Sequence, residues 1–417
     1  MYLSNRHISL EANILYPDFN PCGGGERLAL ATIQAISEMG IDLDITTYTE
    51  PDLSKLENAY GKSLTSVMNK VRKVNVVSSF SENSIKKSIR RERYDININT
   101  HADLLPYYQH YFSKKNSVAY CHFPMAKQYI ESRNMQYLKR DLRIIKDQEQ
   151  ENTLSNNDTG SKNKEKHFQM VKYFYENLMK NSTVITNSEF SRKAIFETFD
   201  SSSDNSEGID EVQVLRPPVD IDTFRRVLLS SLSTNKREDD IVLVVSRIDK
   251  QKKIENAIRL AKLLKQNNIG SGMKIIGNID YKYDLNYYLS LNQMVIDFDL
   301  EDYVTLETDV CLNNLLSIMR EAKVYFHPVV GEHFGISIVE AMAAGLVPIV
   351  PDVGGPTEFV PKKYHFHNFE EAVEIISTAF NAAYTERVQI SNSVSKFSIS
   401  NYIEGFQKIV NELLPYI

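Results

Sequence analysis

Glu332 and Glu340 stand with seven residues between them in VVGEHFGISIVEAMAAGLVPIVPDVGGPTEFV. A strand ending at HPVV precedes the first, and GISIVEAMAAG opens a helix. The amides of Phe334, Gly335 and Ile336 should therefore point outward at a helix N-terminus, where unsatisfied N–H groups and the positive end of the helix dipole suit an anion. Glu340 falls about one turn inside that helix, flanked by apolar Ile338, Val339, Ala341 and Met342, and a carboxylate so placed needs a partner or a polar ligand. On spacing alone, a capping carboxylate and an unrelated surface acid explain the pair equally well.

Three further signals lie elsewhere. Arg247 ends the apolar run VLVVSRI and Lys252 precedes the next helix, at the strand edge where open α/β sheets bind ligands. A planar fork and a mobile point charge together suit a diphosphate, although a lone Arg or Lys after a strand is commonly a surface residue. In PCGGGERLALA, Gly23, Gly24 and Gly25 let the backbone approach a ligand closely, or simply form a turn. The pattern is neither GxGxxG nor GxxxxGK[ST], which supports neither a dinucleotide site nor a P-loop. His122 ends the strand of AYCHFP, a position where a structural histidine is the commoner outcome. All four signals fall on strand-to-helix edges, two in each half of the chain.

The elements that must position them alternate. HISLEANIL, IDLDITTY, KVNVV, YDININT, SVAYCHF, TVITNS and VQVLR read as strands, with helices such as GERLALATIQAISEMG and EKHFQMVKYFYENLMK between them. A second series runs through DIVLVVSRI, MKIIGNI, YVTLET, KVYFHP and VPIVPD, separated by helical stretches. The pattern predicts an α/β fold of two doubly wound domains, residues 1–217 and 218–417, with the double proline Pro217-Pro218 at the junction and the two sets of edges facing across a cleft. The last helix, about 398–417, is expected to pack back on the N-terminal domain. The polar stretches 151–166, 200–211 and 230–240 read as loops.

The composition, 42% hydrophobic and 24% charged with 16 Gly and 13 Pro, excludes disordered and fibrous classes. Three scattered cysteines make neither a disulfide framework nor a zinc site. No apolar run spans a bilayer and the N-terminus lacks a signal core, so the expected localisation is cytoplasmic, with peripheral attachment to the cytoplasmic face of a membrane left open. The net charge of −6 is uneven: residues 1–210 are neutral and the acidic excess lies beyond them. Within the neutral half, Lys70, Arg72, Lys73, Lys86, Lys87, Arg90, Arg91 and Arg93 form a basic cluster, and RNMQYLKRDLRIIK (133–146) mixes basic with apolar residues. Either is a solvated face or an interfacial surface for anionic lipid. No nucleic-acid partner is expected.

GGGER, CHFP, TNSEFSR, LRPPVDIDTF, SRIDKQKK and GEHFGISIVEAMAAGLVPIVPDVGGPTEFV resemble, in the same order, the motifs of the retaining glycosyltransferases of family 4, which have the GT-B fold. The wording is most similar to the mannosyltransferases that extend dolichol-linked oligosaccharide and to their archaeal relatives. The resemblance implies an N-terminal acceptor-binding domain and a C-terminal nucleotide-sugar-binding domain. It implies that Glu332 contacts hydroxyls of the donor sugar, Glu340 holds the ribose, and Arg247 and Lys252 bind the diphosphate. By the same resemblance His122 lies beside the transferred sugar, Gly24 and Gly25 close over the phosphates and acceptor, and Phe334, Gly335 and Ile336 give backbone donors. The catalytic set so implied is His122, Glu332, Arg247 and Lys252.

The implied reaction is metal-independent, needs no cofactor, and moves a sugar, mannose from GDP-mannose being favoured over a UDP-sugar, to a hydroxyl of a glycan or polyprenyl-linked acceptor. Two departures stand out: Lys253 replaces the family's usual turn glycine, and Glu307 or Thr308 stands where a glycine often follows the strand, which leaves the choice of base open. The alternatives are a nonhydrolysing sugar-nucleotide epimerase and a catalytically silent nucleotide-sugar-binding scaffold.

Overall fold

A computed structural model describes residues 10–79, 94–102, 116–145, 159–200, 211–231 and 240–414. The chain divides into two compact units, Met1–Pro217 with Tyr402–Ile417, and Pro218–Asn401. Each is built on one parallel sheet.

In the first unit the strands are β1 (Glu11–Leu15), β2 (Asp42–Thr47), β3 (Val71–Val76), β4 (Ile96–Asn99), β5 (Ser117–Cys121), β6 (Thr183–Thr186) and β7 (Val212–Val214). Their order is β3-β2-β1-β4-β5-β6-β7, with every pairing parallel. The chain leaves β1 to one side and later returns beside it at β4, which makes the doubly wound switch point. The second sheet holds β8 (Ile241–Val245), β9 (Gly272–Gly277), β10 (Val304–Thr308), β11 (Val324–Phe326), β12 (Val347–Pro351) and β13 (His365–Phe366), in the order β10-β9-β8-β11-β12-β13. Runs such as IVLVV and VPIVP are apolar throughout because helices cover both faces of a parallel sheet. Each unit is therefore an α/β, doubly wound, Rossmann-like domain.

The first sheet carries more polar residues than that rule leads one to expect. Asn13, Asp44, Thr46, Asn75, Asn97 and Asn99 are all buried on β1 to β4. Asp44 is held by Arg72 Nε at 2.9 Å and by the Tyr94 hydroxyl at 2.8 Å, and Thr46 donates to Asn13 at 2.9 Å.

The final helix, Ile399–Leu413, crosses from the second unit into the first. There the Tyr402 hydroxyl meets Thr32 Oγ1 at 2.7 Å and Gln407 donates to the Ala35 carbonyl at 3.1 Å. Buried Tyr402, Phe406 and Val410 form its apolar stripe.

Several expectations need correction. Residues 159–166 are not loop but the start of the helix Thr159–Lys180, and Ser230 and Ser231 belong to the helix Ile221–Ser231. The remainder of the three polar stretches lies almost wholly outside the described residues. So do Lys86, Lys87, Arg90, Arg91 and Arg93 of the basic cluster. Arg72 is no part of a free patch, since it reaches Asp44 and also pairs with Glu11. The stretch 133–146 is not an interfacial helix. It contains a single π-helical turn, Tyr137–Asp141, and buries Tyr137, Leu138, Leu142 and Ile145 in the core of the first unit. Two of its described cations are occupied: Arg133 pairs with Glu165 at 2.8 Å and Arg143 lies over the Tyr48 ring. Among the described residues no helix is long and apolar enough to cross a membrane.

Candidate functional site

Lys252 and Glu332, 80 positions apart, meet: Nζ donates to Oε2 at 2.7 Å, with the glutamate side chain 12% exposed. The loop after β8 sets the lysine. Asp249 accepts from the amides of Gln251 at 2.9 Å and Lys252 at 3.2 Å, which caps a 3-10 turn over Lys250–Lys252. The turn ends at Lys253, whose φ of 49° and ψ of 41° are left-handed. The turn a glycine would make is therefore retained without the glycine, at a cost of about 1 kcal/mol. Lys253→Gly should leave urea stability within about 0.5 kcal/mol of the parent, because relief of strain is offset by a looser unfolded chain. Lys253→Val, with a branched Cβ at positive φ, should lose more than about 1 kcal/mol.

Glu332 is fixed from the other side. Gly331 N donates to Val353 O at 3.0 Å and Gly355 N to Glu332 O at 2.8 Å, so the loop after β11 is zipped to the loop after β12. Oε1 of Glu332 accepts from the His333 amide at 3.1 Å. Next comes Gly335 at φ 87°, the N-cap of the helix Ile336–Ala343. The first intrahelical hydrogen bond runs from Ile338 N to Gly335 O at 3.0 Å, leaving the amides of Phe334, Gly335 and Ile336 ahead of it. The Phe334 ring itself is buried against Phe359 and Phe397. Glu340 lies inside the helix and is buried.

Burial works to raise the Glu332 carboxyl, but the charge of Lys252, with His327 and His333 close by, outweighs it and holds the group well below the ordinary carboxylate range. The folded value is depressed, so the stability this carboxylate confers is present above its unfolded value near 4.3 and is lost only as pH falls through the depressed one. The stability difference between the parent and Glu332→Gln should stay level from pH 7 to about pH 5 and shrink only in stronger acid, as read by denaturant unfolding at each pH.

Arg247 follows the same strand but is 66% exposed and faces Asp249 at 3.5 Å. The structure gives it a place at the edge of β8, not a contact with Glu332.

In the first unit, Gly24 and Gly25 are not a free loop. They open the helix Gly24–Glu38, with Gly23 as N-cap donating to Glu26 Oε2 at 2.6 Å. A Cβ on Gly25 would stand 2.5 Å from the Tyr16 hydroxyl, which donates to Glu26 Oε1 at 2.9 Å. Packing within the unit thus already requires glycine there. Gly25→Ala should cost about 1–3 kcal/mol, and in a Tyr16→Phe background the added cost should fall, a coupling that a double-mutant cycle would read. Burial raises the Glu26 carboxyl, against hydrogen bonds from Tyr16 and Gly23. The Tyr16 ring stacks on His101 at 5.5 Å, and His101 meets His122 edge-on at 5.1 Å. Asn187 donates to the His122 carbonyl at 2.9 Å. The glycine signal and the histidine signal are therefore linked through Tyr16 and His101.

Sequence reading missed Asp249, His327, Tyr16, Glu26 and His101. An aspartate two places after Arg247 and an acid three residues after Gly23 were legible capping patterns; the histidines carried no such cue.

Two doubly wound sheets, with a carboxylate-ammonium pair at the head of a helix on a strand edge, define an α/β protein of the kind that binds anionic small molecules. Residues 231–395 match the family model "Glycosyl transferases group 1". That segment is similar to the group 1 glycosyltransferases, and the chain has the GT-B fold. Among curated relatives, the GDP-Man:Man(3)GlcNAc(2)-PP-Dol alpha-1,2-mannosyltransferase of Dictyostelium discoideum is 24% identical over 215 residues, 48% of this chain and 42% of that one. The human protein of the same name is 27% identical over 216 residues, 48% of this chain and 44% of its own. The chain thus matches less than half the length of these relatives. Of solved structures, the sucrose-phosphate synthase of Thermosynechococcus elongatus aligns with a TM-score of 0.70 at 15% identity, over 98% of this chain and 100% of that one, a likeness of fold.

Proposed function

We propose that the protein is a retaining, metal-independent glycosyltransferase that moves mannose from GDP-mannose to a hydroxyl of a lipid-linked oligosaccharide. The observation that carries this reading is the Lys252–Glu332 pair at the head of the helix Ile336–Ala343, an acid for sugar hydroxyls beside a cation for phosphate. The names of the curated relatives supply the donor and the acceptor class.

As the bond from sugar C1 to the phosphate oxygen breaks, negative charge grows on the leaving diphosphate. Arg247, Lys252 and the amides of Phe334, Gly335 and Ile336 stabilise that charge more than they stabilise the ground state. Glu332 orients the sugar through its hydroxyls, Glu340 holds the ribose, and the acceptor hydroxyl attacks from the face the diphosphate leaves. In this reading the first unit binds the acceptor, with His122, Gly24 and Gly25 nearest the transferred sugar.

Calorimetric titration with GDP, UDP, GDP-mannose and UDP-N-acetylglucosamine in EDTA tests the proposal. Selective binding of GDP and GDP-mannose is expected. Preference for UDP would keep the chemistry and discard mannose, and binding that requires a divalent cation would discard metal independence. No binding to any of them would overturn the reading.

A further inference from the structure

His327 follows β11 and is 2% exposed, fixed by its backbone N–H donating to Ile349 O at 2.9 Å. Its Nε2 lies 3.4 Å from Oε2 of Glu332, the same oxygen that Lys252 holds at 2.7 Å. Neither of its ring nitrogens has a hydrogen-bond partner among the described residues. A buried polar atom left so is costly, and it marks a ring placed for something other than its own hydrogen bonding. An ammonium and an imidazole thus converge on one carboxylate oxygen, and of the two only Lys252 sits on a long flexible stem.

We infer that His327 is the reserve counter-ion of Glu332, a positioning residue that takes up a proton and holds the carboxylate when Lys252 swings away to a bound phosphate. The inference rests on the donor reading for what draws Lys252 off, but not for the exchange itself. A carboxylate this buried is expensive to leave alone, and 3.4 Å closes to a charge-assisted hydrogen bond with a small tilt of the ring. The other titratable groups of this corner are His333 in the loop, Glu340 in the helix Ile336–Ala343, and Tyr325 on β11, whose hydroxyl is tied to Ser337 at 2.8 Å and Val245 O at 3.1 Å. None of the three follows the nucleotide as Lys252 would.

Imidazole nitrogen NMR of the full-length protein tests this without any nucleotide. The His327 resonance is assigned by difference against His327→Asn, and thermal melts confirm that each variant is folded. In Lys252→Gln the His327 titration should move up by about one pH unit relative to the parent, and in Lys252→Arg it should not move. Coincident titrations in parent and Lys252→Gln overturn the inference. In a second arm, GDP-mannose is titrated calorimetrically in two buffers of different ionisation enthalpy. Uptake of about one proton per donor is expected in the parent and none in His327→Asn. Binding without uptake overturns the inference, whereas a shifted His327 titration with no nucleotide binding leaves the exchange standing and removes the donor reading.

Discussion

Glu332→Ala and Arg247→Ala each lower turnover by about 10²-fold or more, the loss typical when one preorganised transition-state contact is removed. The two substitutions should differ in everything else. Arg247 is 66% exposed, and its ion pair with Asp249 is open to solvent on the arginine side and worth little. Arg247→Ala should therefore melt like the parent, and its whole effect should appear in kcat and kcat/KM together, as expected for a group that acts on developing charge. Glu332 is packed between Lys252 and His327, with its backbone zipped to Gly355. Removing the carboxylate releases a lysine that is one-quarter exposed and can find water, so the fold survives while the sugar contact and the position of Lys252 are lost. Steady-state rates with GDP-mannose and a polyprenyl-linked acceptor, beside melting curves, read both effects. Near-normal turnover in either variant would sink the assignment of these residues, and a Glu332→Ala protein that does not fold would show that the pair is structural first.

How much of this was legible before the structure depended on whether the partners were local. The strands are legible as short Ile- and Val-rich runs between helical stretches, most clearly β8 and β12, where burial on both faces leaves a continuous hydrophobic signature. The sheet order does not stand out, since nothing within β1 says that β4 will return beside it. Residues of the site divide in the same way. Glu332, Glu340 and the amides of the helix head fall within one motif and their spacing conveys their placement. That Lys252 pairs with Glu332 across 80 residues is a fact of the β8 and β11 edges lying side by side in the sheet.

Arg72 is misjudged for the same reason: it looks free in the sequence because its partners, Glu11 and Asp44, are on neighbouring strands. The stretch 133–146 failed because an amphipathic pattern does not say which apolar phase it faces, and Tyr137 and Leu138 face the core of their own unit. Lys253 shows the opposite error, a departure from motif that leaves the turn unchanged because a lysine accepts the left-handed region at modest cost.

Gly355→Ala, 23 positions from Glu332, should weaken donor binding by more than about tenfold and destabilise the protein by about 2–4 kcal/mol. A Cβ built there stands 2.0 Å from the His333 carbonyl oxygen, 2.7 Å from its carbon and 3.2 Å from Phe334 Cα. These are backbone atoms, so no side-chain rotation relieves the collision. The segment His333–Phe334 has to move, and it carries the amide that holds Glu332 Oε1 and the first of the amides at the helix head. The Gly355 N–H to Glu332 carbonyl bond, 2.8 Å, moves with it. Gly40→Ala is the control that separates collision from backbone preference. Gly40 sits at φ 74° with nothing within 4 Å of a built Cβ, so alanine there pays only the left-handed cost of about 1 kcal/mol and should bind GDP-mannose like the parent. Equal losses of donor affinity in the two variants would mean that binding follows global stability. A loss confined to Gly355→Ala means that the close approach of the loops after β11 and β12 is what aims the acid and the amides.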